Sequence, residues 1–270
     1  MLVFSCIAPH GGVSIVSLGN PRAGRAEGTR TAMAELRRRA DAAAVETWIV
    51  LAPHGIRAAG AMALSDGDLA LSTIGPESPA GRPFHFEAPI HREMARALAA
   101  RSLAGGIWAV RIADGLGNYP MDWSGAIPLS FLGAGERSQP VVQVVPSTEL
   151  GWDGMVRFGR ILADLCAERP ERIGLVASSD LAHAHEADGP YGFDPAAAVY
   201  DRAVCDAIEA DEPMRLRTFD PGMVDAAKVD GQWQILILAG ALEGRAMPLE
   251  LLCYEVPTYF GMLTAGPRTA

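Results

Sequence analysis

Three apolar runs in this chain end in histidine, and that repetition limits the folds open to it. Residues 173–177, Ile-Gly-Leu-Val-Ala, have the length and bounding of a buried strand. They break into Ser178-Ser179-Asp180, with His183 and His185 close behind in a polar, Gly- and Pro-punctuated segment. Residues 2–7 lead into Pro9-His10-Gly11-Gly12, and residues 48–51 lead into Pro53-His54-Gly55. An imidazole just beyond a buried strand stands on a rigid base and faces the crevice outside the sheet edge. That is where open α/β sheets carry their sites.

The other elements fit the same scheme. Residues 22–44 alternate Ala, Leu and Arg at helical spacing, which makes 2–52 a βαβ unit with parallel strands. Residues 61–73 alternate weakly and suggest a hairpin, and 78–89 form a Pro- and Gly-rich loop holding His85. A helix over 90–102, with His91 at its start, precedes a strand over 106–112. After an irregular stretch come the apolar run 126–132 and a further buried strand, Val141–Val145. Residues 153–168 are helical, and 195–209 form a helix whose Asp194-Pro195 start supplies a cap and a first-turn proline. Residues 220–231 read as a loop and 234–242 as a helix or strand; strands at Leu249–Glu255 and 259–263 close the chain. With no repeat beyond the βα unit, no low-complexity linker and no shift of composition, residues 1–270 read as one α/β domain.

Composition excludes several functions. A net charge of −9 with no large basic cluster argues against nucleic acid. No apolar run approaches the length of a membrane span. Cys6, Cys166, Cys205 and Cys253 are scattered without a CxxC pair and read as free thiols. The N-terminus runs straight into a strand with no signal-peptide pattern, so a cytoplasmic protein is expected. The chain has no GxSxG elbow, no dinucleotide fingerprint and no Walker A sequence.

His10 and His54 each follow proline and precede glycine. Proline fixes the approach of the chain and glycine lets the backbone turn sharply, so the two rings are aimed at a common point. Two imidazoles want a third ligand: two histidines and a carboxylate suit non-haem iron(II), and the same set also satisfies zinc. Asp225, Asp230 and Glu255 are the late carboxylates, and Asp230, before Gly231 and an apolar element, is best set. His183 suits acid–base work beside a metal, with Asp180 three residues earlier to orient it; His185 is a neighbour in the same segment.

Taken together, Pro9-His10-Gly11, Pro53-His54-Gly55, Ser178-Ser179-Asp180-Leu181-Ala182-His183 and the run from Asp230 to Leu242 resemble the class III extradiol ring-cleavage dioxygenases. That LigB-like superfamily also contains the Memo proteins, and the resemblance spans nearly the whole chain in order. It implies a single domain with a central mixed, largely parallel sheet flanked by helices, and a mononuclear Fe(2+) held by His10, His54 and Asp230, with Zn(2+) the alternative. Asp230 stands where family members carry Glu and Memo-like members Cys. His183, Asp180 and Asp122 would serve catalysis, and Trp123, Tyr191 and His185 would line the place of a small aromatic substrate that reacts with O2. One departure stands out. Where ring-cleaving members have Asp-His-Gly before a VPL-like run, this chain has Met121-Asp122-Trp123-Ser124 before Ile127-Pro128-Leu129. Asp122 is kept and Trp123 replaces the histidine, which points to a Memo-like metal- or partner-binding protein as the second reading. The apolar C-terminal strands are expected to support a homodimer.

Overall fold

Strand and helix alternate through most of the chain, as a layered α/β sheet requires. In the computed structural model, which describes residues 1–268, β1 (Leu2–Ala8), α1 (Glu27–Ala42) and β2 (Thr47–Leu51) come first. Then follow β3 (Met62–Ser65), β4 (Leu69–Ile74), β5 (Phe84–Pro89), α2 (Arg92–Ala104), β6 (Ala109–Ile112) and β7 (Tyr119–Pro120). The second half holds α3 (Trp123–Phe131), β8 (Val141–Val145), α4 (Gly151–Ala167), β9 (Ile173–Ser178) and α5 (Ala196–Glu209). It ends with α6 (Pro221–Ala226), α7 (Gln232–Leu242), β10 (Leu249–Glu255) and β11 (Met262–Pro267).

Eight strands make one sheet in the order β10-β11-β1-β9-β2-β8-β3-β6. The central four, β1, β9, β2 and β8, are mutually parallel. β3 runs antiparallel to β8, and β11 runs antiparallel to both β1 and β10, so the sheet is mixed at its flanks. Residues alternate between the two faces of the parallel strands. Phe4, Cys6, Ala8, Trp48, Val50 and Val176 join the core under α1, α3 and the small sheet β5-β4-β7. Ile7, Ile49, Leu51, Leu175 and Ala177 join the core under α2, α4, α5 and α7. Both faces are covered, which is why these runs are predominantly apolar. On the second face α4 and α7 approach very closely. A Cβ on Gly159 would lie 2.0 Å from the carbonyl oxygen of Ile237, and one on Gly240 would lie 2.2 Å from that of Val156.

Several expectations change. β1 and β2 are parallel but not neighbours, because β9 inserts between them. Residues 61–73 do not form a hairpin: β3 belongs to the large sheet and β4 to the small one. His85 lies on β5 rather than in a loop, with its ring against Thr73 on β4. The apolar run 126–132 is part of α3, whose N-cap Asp122 accepts from the Ser124 amide. Residues 220–231 are not simply a loop, since Asp220 caps α6 there. Residues 234–242 are helical, and α7 is so thoroughly enclosed that its sequence lacks a polar stripe. The four cysteines are free, and no helix among the described residues is long and apolar enough to cross a membrane.

Candidate metal centre

The register of the central strands brings the three histidine segments to one edge. Ala8 is level with Ser178, and Leu51 is level with Ala177, so the turns after β1, β9 and β2 leave the sheet side by side. The segment before α7 completes the group. Its Asp230 amide donates to the Leu181 carbonyl, and the Ala227 carbonyl accepts from the His183 amide. Val229 bridges Ala182 between those two bonds. Asp230 and His183 are therefore held by one short antiparallel ladder.

His10, His54 and Asp230 converge, with their ligating atoms within 4.8 Å of one another. Asp230 Oδ2 lies 3.2 Å from His10 Nε2 and 3.1 Å from His54 Nε2. Proton positions follow from the surroundings. Ser178 Oγ donates to the Ser124 carbonyl at 2.5 Å, so at 3.0 Å it accepts from His10 Nδ1. Neutral His10 then presents a bare lone pair on Nε2, the arrangement seen where a ligand histidine is oriented from behind. Asp230 Oδ2, buried and without a hydrogen-bond donor, faces that lone pair. Electron pairs pointed at one another in a buried place call for a cation.

The electrostatics say the same. Burial opposes charge on His10, yet Asp180 and Asp230 outweigh it and raise His10 above its ordinary value. Burial would raise Asp230 as well, but His10 and His54 hold its carboxyl well below the usual carboxylate range. A proton or a metal ion can supply the missing charge, and the donor set of two imidazoles and one carboxylate fits iron(II) or zinc. Each of the three elements would hold such an ion from a rigid position.

The surrounding residues divide by what they touch. The turn after His54 depends on Gly55, whose φ is +104° and whose Cβ would fall 2.4 Å from Asp122 Oδ2. Asp122 thus caps α3 and braces this turn, and it lines neither of the two cavities beside the centre. The cap puts Trp123 at the first position of α3, with its ring on the His54 ring at 4.7 Å between centroids. His183 Nδ1 lies 3.0 Å from the Leu181 carbonyl, which can only accept. Nδ1 therefore carries the proton and Nε2 is free to take one. His183 is boxed by Phe260, stacked at 5.3 Å, and by Tyr191 and Tyr259 at 5.7 and 5.8 Å.

Two sequence-based roles need correcting. Asp180 does not orient the His183 ring: its Oδ1 accepts from the His10 amide at 3.0 Å and its Oδ2 lies 3.5 Å from His10 Nε2. Burial raises the Asp180 carboxyl, with His10 and His183 working the other way. His185 does not line the substrate space: its Nε2 is bound to the buried Asp201 at 2.8 Å, because the chain turns it away from the cleft. Asp225 is at the cleft rim, while Glu255 accepts from the Thr29 amide, away from the centre. Among residues not singled out, Ser178 sets the His10 tautomer, and Trp152, Trp233, Tyr259 and Phe260 wall the cavities. Ser178 was discoverable only from the strand order, and the four aromatics are scattered from residue 152 to residue 260 without a shared motif.

Two cavities meet at the centre and share His54, His183 and Tyr191. The larger, about 450 Å³, runs toward Trp152 and Trp233; the smaller, about 340 Å³, runs toward Asn20, Glu77 and Thr258.

Comparison with known proteins decides the family. The model of the catalytic LigB subunit of aromatic ring-opening dioxygenase matches residues 6–262, which include all three converging side chains. The chain belongs to the LigB family. A relative in Clostridium acetobutylicum, protein CA_C1420, is 24% identical over 255 residues. That match covers 92% of this chain but 54% of the relative, so the chain spans about half its length. The crystal structure of the uncharacterized protein JW3007 from Escherichia coli K12 is similar with a TM-score of 0.58 and 15% identity. It covers 98% of this chain and 100% of that one, a likeness of fold.

Proposed function

We propose that the protein is a non-haem iron(II)-dependent extradiol dioxygenase that opens a catechol-type ring with O2. The observation that carries this reading is the set of His10 Nε2, His54 Nε2 and Asp230 Oδ2, facing one another with no proton donor between them. Family membership supports it, since the matching model describes ring-opening dioxygenase subunits. When bound, the metal supplies Lewis acidity toward the catechol oxygens and electron transfer with dioxygen. The rest falls to the chain. His183 Nε2, bare and facing both cavities, takes a hydroxyl proton as the ring binds and returns it as the product forms. Tyr191 and Trp123 flank the ring's entry, and Tyr259 and Phe260 exclude water from His183.

The test is oxygen uptake by anaerobically purified protein reloaded with iron(II), offered protocatechuate, gallate, homoprotocatechuate and simple catechols. Uptake needing both iron and one catechol, with a yellow ring-opened product, is expected. His183→Ala should keep stoichiometric metal and lose roughly a hundredfold to ten-thousandfold in turnover.

One observation favours a second reading. Trp123 covers a face of the His54 ring in the position where ring-cleaving relatives of the sequence pattern carry histidine. On that reading the protein is a Memo-like metal- or partner-binding protein. Stoichiometric metal without uptake on any catechol would support it.

A further inference from the structure

We infer that Lys228 is the residue that selects the substrate, by pairing with a carboxylate carried on the ring's side chain. This deepens the ring-cleavage reading and rests on it only for the place of the ring. Lys228 is the sole lysine of the chain; every other basic side chain among the 23 Lys and Arg is arginine. It lines the larger cavity together with His54, His183 and Asp230, and no other Lys or Arg of the described residues lines either cavity at the centre. Asp225 and Asp230 share that lining, and the whole molecule carries a net charge of −9. Within these two linings Lys228 therefore offers an anionic ligand the one Lys or Arg charge, against a molecule whose net charge is repulsive.

Two further observations set Lys228 apart from an ordinary rim residue. It follows α6 with a φ of +55°, and its amide donates to the Asp225 carbonyl at 3.1 Å. Glycine is the usual residue at such a left-handed helix end, because a Cβ is strained there. This chain instead puts its one lysine in that place. The ammonium is not consumed by structure either. Its single ion pair, to Asp225 Oδ2, is 3.6 Å long, and the Asp225 side chain is 86% exposed. Such pairs are weak.

The position is fixed relative to the chemistry. Lys228 sits in the ladder whose flanking bonds hold His183 to Ala227 and Asp230 to Leu181. A ring bound at the metal, with a short side chain reaching along the apolar wall of Trp152, Trp233 and Val224, would bring its carboxylate to this end of the cavity. Neutral catechols would lack that contact.

The experiment compares binding of 3,4-dihydroxyphenylacetate and its amide to the anaerobic iron(II)-loaded protein, by calorimetry or tryptophan quenching. The methylene insulates the ring from the change of charge. Wild type should favour the acid by about tenfold. Lys228→Gly should bring the ratio close to one, leave the amide's affinity and the metal content unchanged, and raise Tm by relieving the left-handed strain. Lys228→Met should equalise the two ligands without raising Tm. Equal binding of acid and amide by wild type, no binding of the acid, or an unchanged ratio in Lys228→Gly would overturn the inference. So would a lower Tm with both ligands weakened alike, which marks a structural role. Oxygen uptake separates the two readings. A preference for the acid without uptake leaves the anchor standing and strikes ring cleavage, whereas uptake with equal affinities strikes the anchor alone.

Discussion

Asp230 and Asp201 are both enclosed aspartates beside histidine, and their surroundings differ in one respect. Asp201 is fully buried with both oxygens engaged: Oδ1 accepts from the Ala182 amide at 2.9 Å, and Oδ2 meets His185 Nε2 at 2.8 Å and the Tyr254 hydroxyl at 2.7 Å. Asp230 Oδ2 is nearly as enclosed, but it faces two imidazole nitrogens and accepts no hydrogen bond. Buried polar atoms are normally satisfied. The saturated pair is a structural fastener between the segment after β9, α5 and β10, while the unsaturated one is, on the proposed reading, a place kept for a ligand. The two lie on opposite sides of the same short segment, residues 180–185, so the fastener holds one wall of the centre.

Substitutions can break this contrast. Asp230→Ala, like His10→Ala or His54→Ala, should lower metal affinity by more than about a hundredfold, the range in which even supporting residues act. Dialysis followed by metal analysis measures it, and metal kept at full stoichiometry in these variants would refute the ligand set. Asp201→Ala should do the reverse, costing about 3 kcal/mol in urea unfolding because an amide, a ring and a hydroxyl are left unmet. Its metal, added to the folded fraction, should stay. Ser178→Ala removes the acceptor behind His10 together with the hydroxyl's bond to the Ser124 carbonyl, and should weaken metal binding by about tenfold to a hundredfold with the fold intact. If Ser178→Ala binds metal like wild type, His10 does not owe its tautomer to that bond.

Glu35 gives the smallest effect and marks the far end of the scale. It is a partly exposed acid on α1 whose hydrogen bonds with Arg38 and Arg39 lower it from 4.5 to about 2. A carboxyl lowered by folding stabilises above its unfolded value and loses that contribution as pH falls from about 4.5 toward 2. Glu35→Gln should therefore slightly reduce stability at pH 7 and leave it unchanged near pH 2, as read by urea midpoints at the two pH values. Solvent screening keeps the difference small.

Much of this was legible in the chain before it folded. The runs at 2–7, 48–51 and 173–177 are apolar but for the buried Ser5 because both sheet faces are covered, and that near-uniformity exposed the histidines that end them. His10, His54 and Asp230 stood out by local pattern, proline before and glycine after the first two, and glycine after the third. What stayed hidden depends on distance along the chain. Nothing local says that β9 lies between β1 and β2, so neither the bond from His10 to Ser178 nor the use of Asp180 on His10 was visible. His185 looked like a partner of His183, since residues two apart share a face of a regular strand; the segment is instead irregular, held by isolated bridges, and His185 turns to Asp201. α7 hid its helical nature because burial on all sides erased its period.

The insertion of β9 between β1 and β2 also has a consequence for timing. The strands carrying His10 and His54 are made before β9, but they become supports of one sheet edge only when that strand, made more than a hundred residues later, slips into the gap between them. The carboxylate arrives later still, on the segment ahead of α7. Contacts of such long sequence separation form slowly. A chain made only as far as β8 thus holds two imidazoles without their carboxylate, and a metal ion held as proposed would have nowhere to lodge until the segment ahead of α7 is made. Loading with metal would then report that the centre of the sheet has closed.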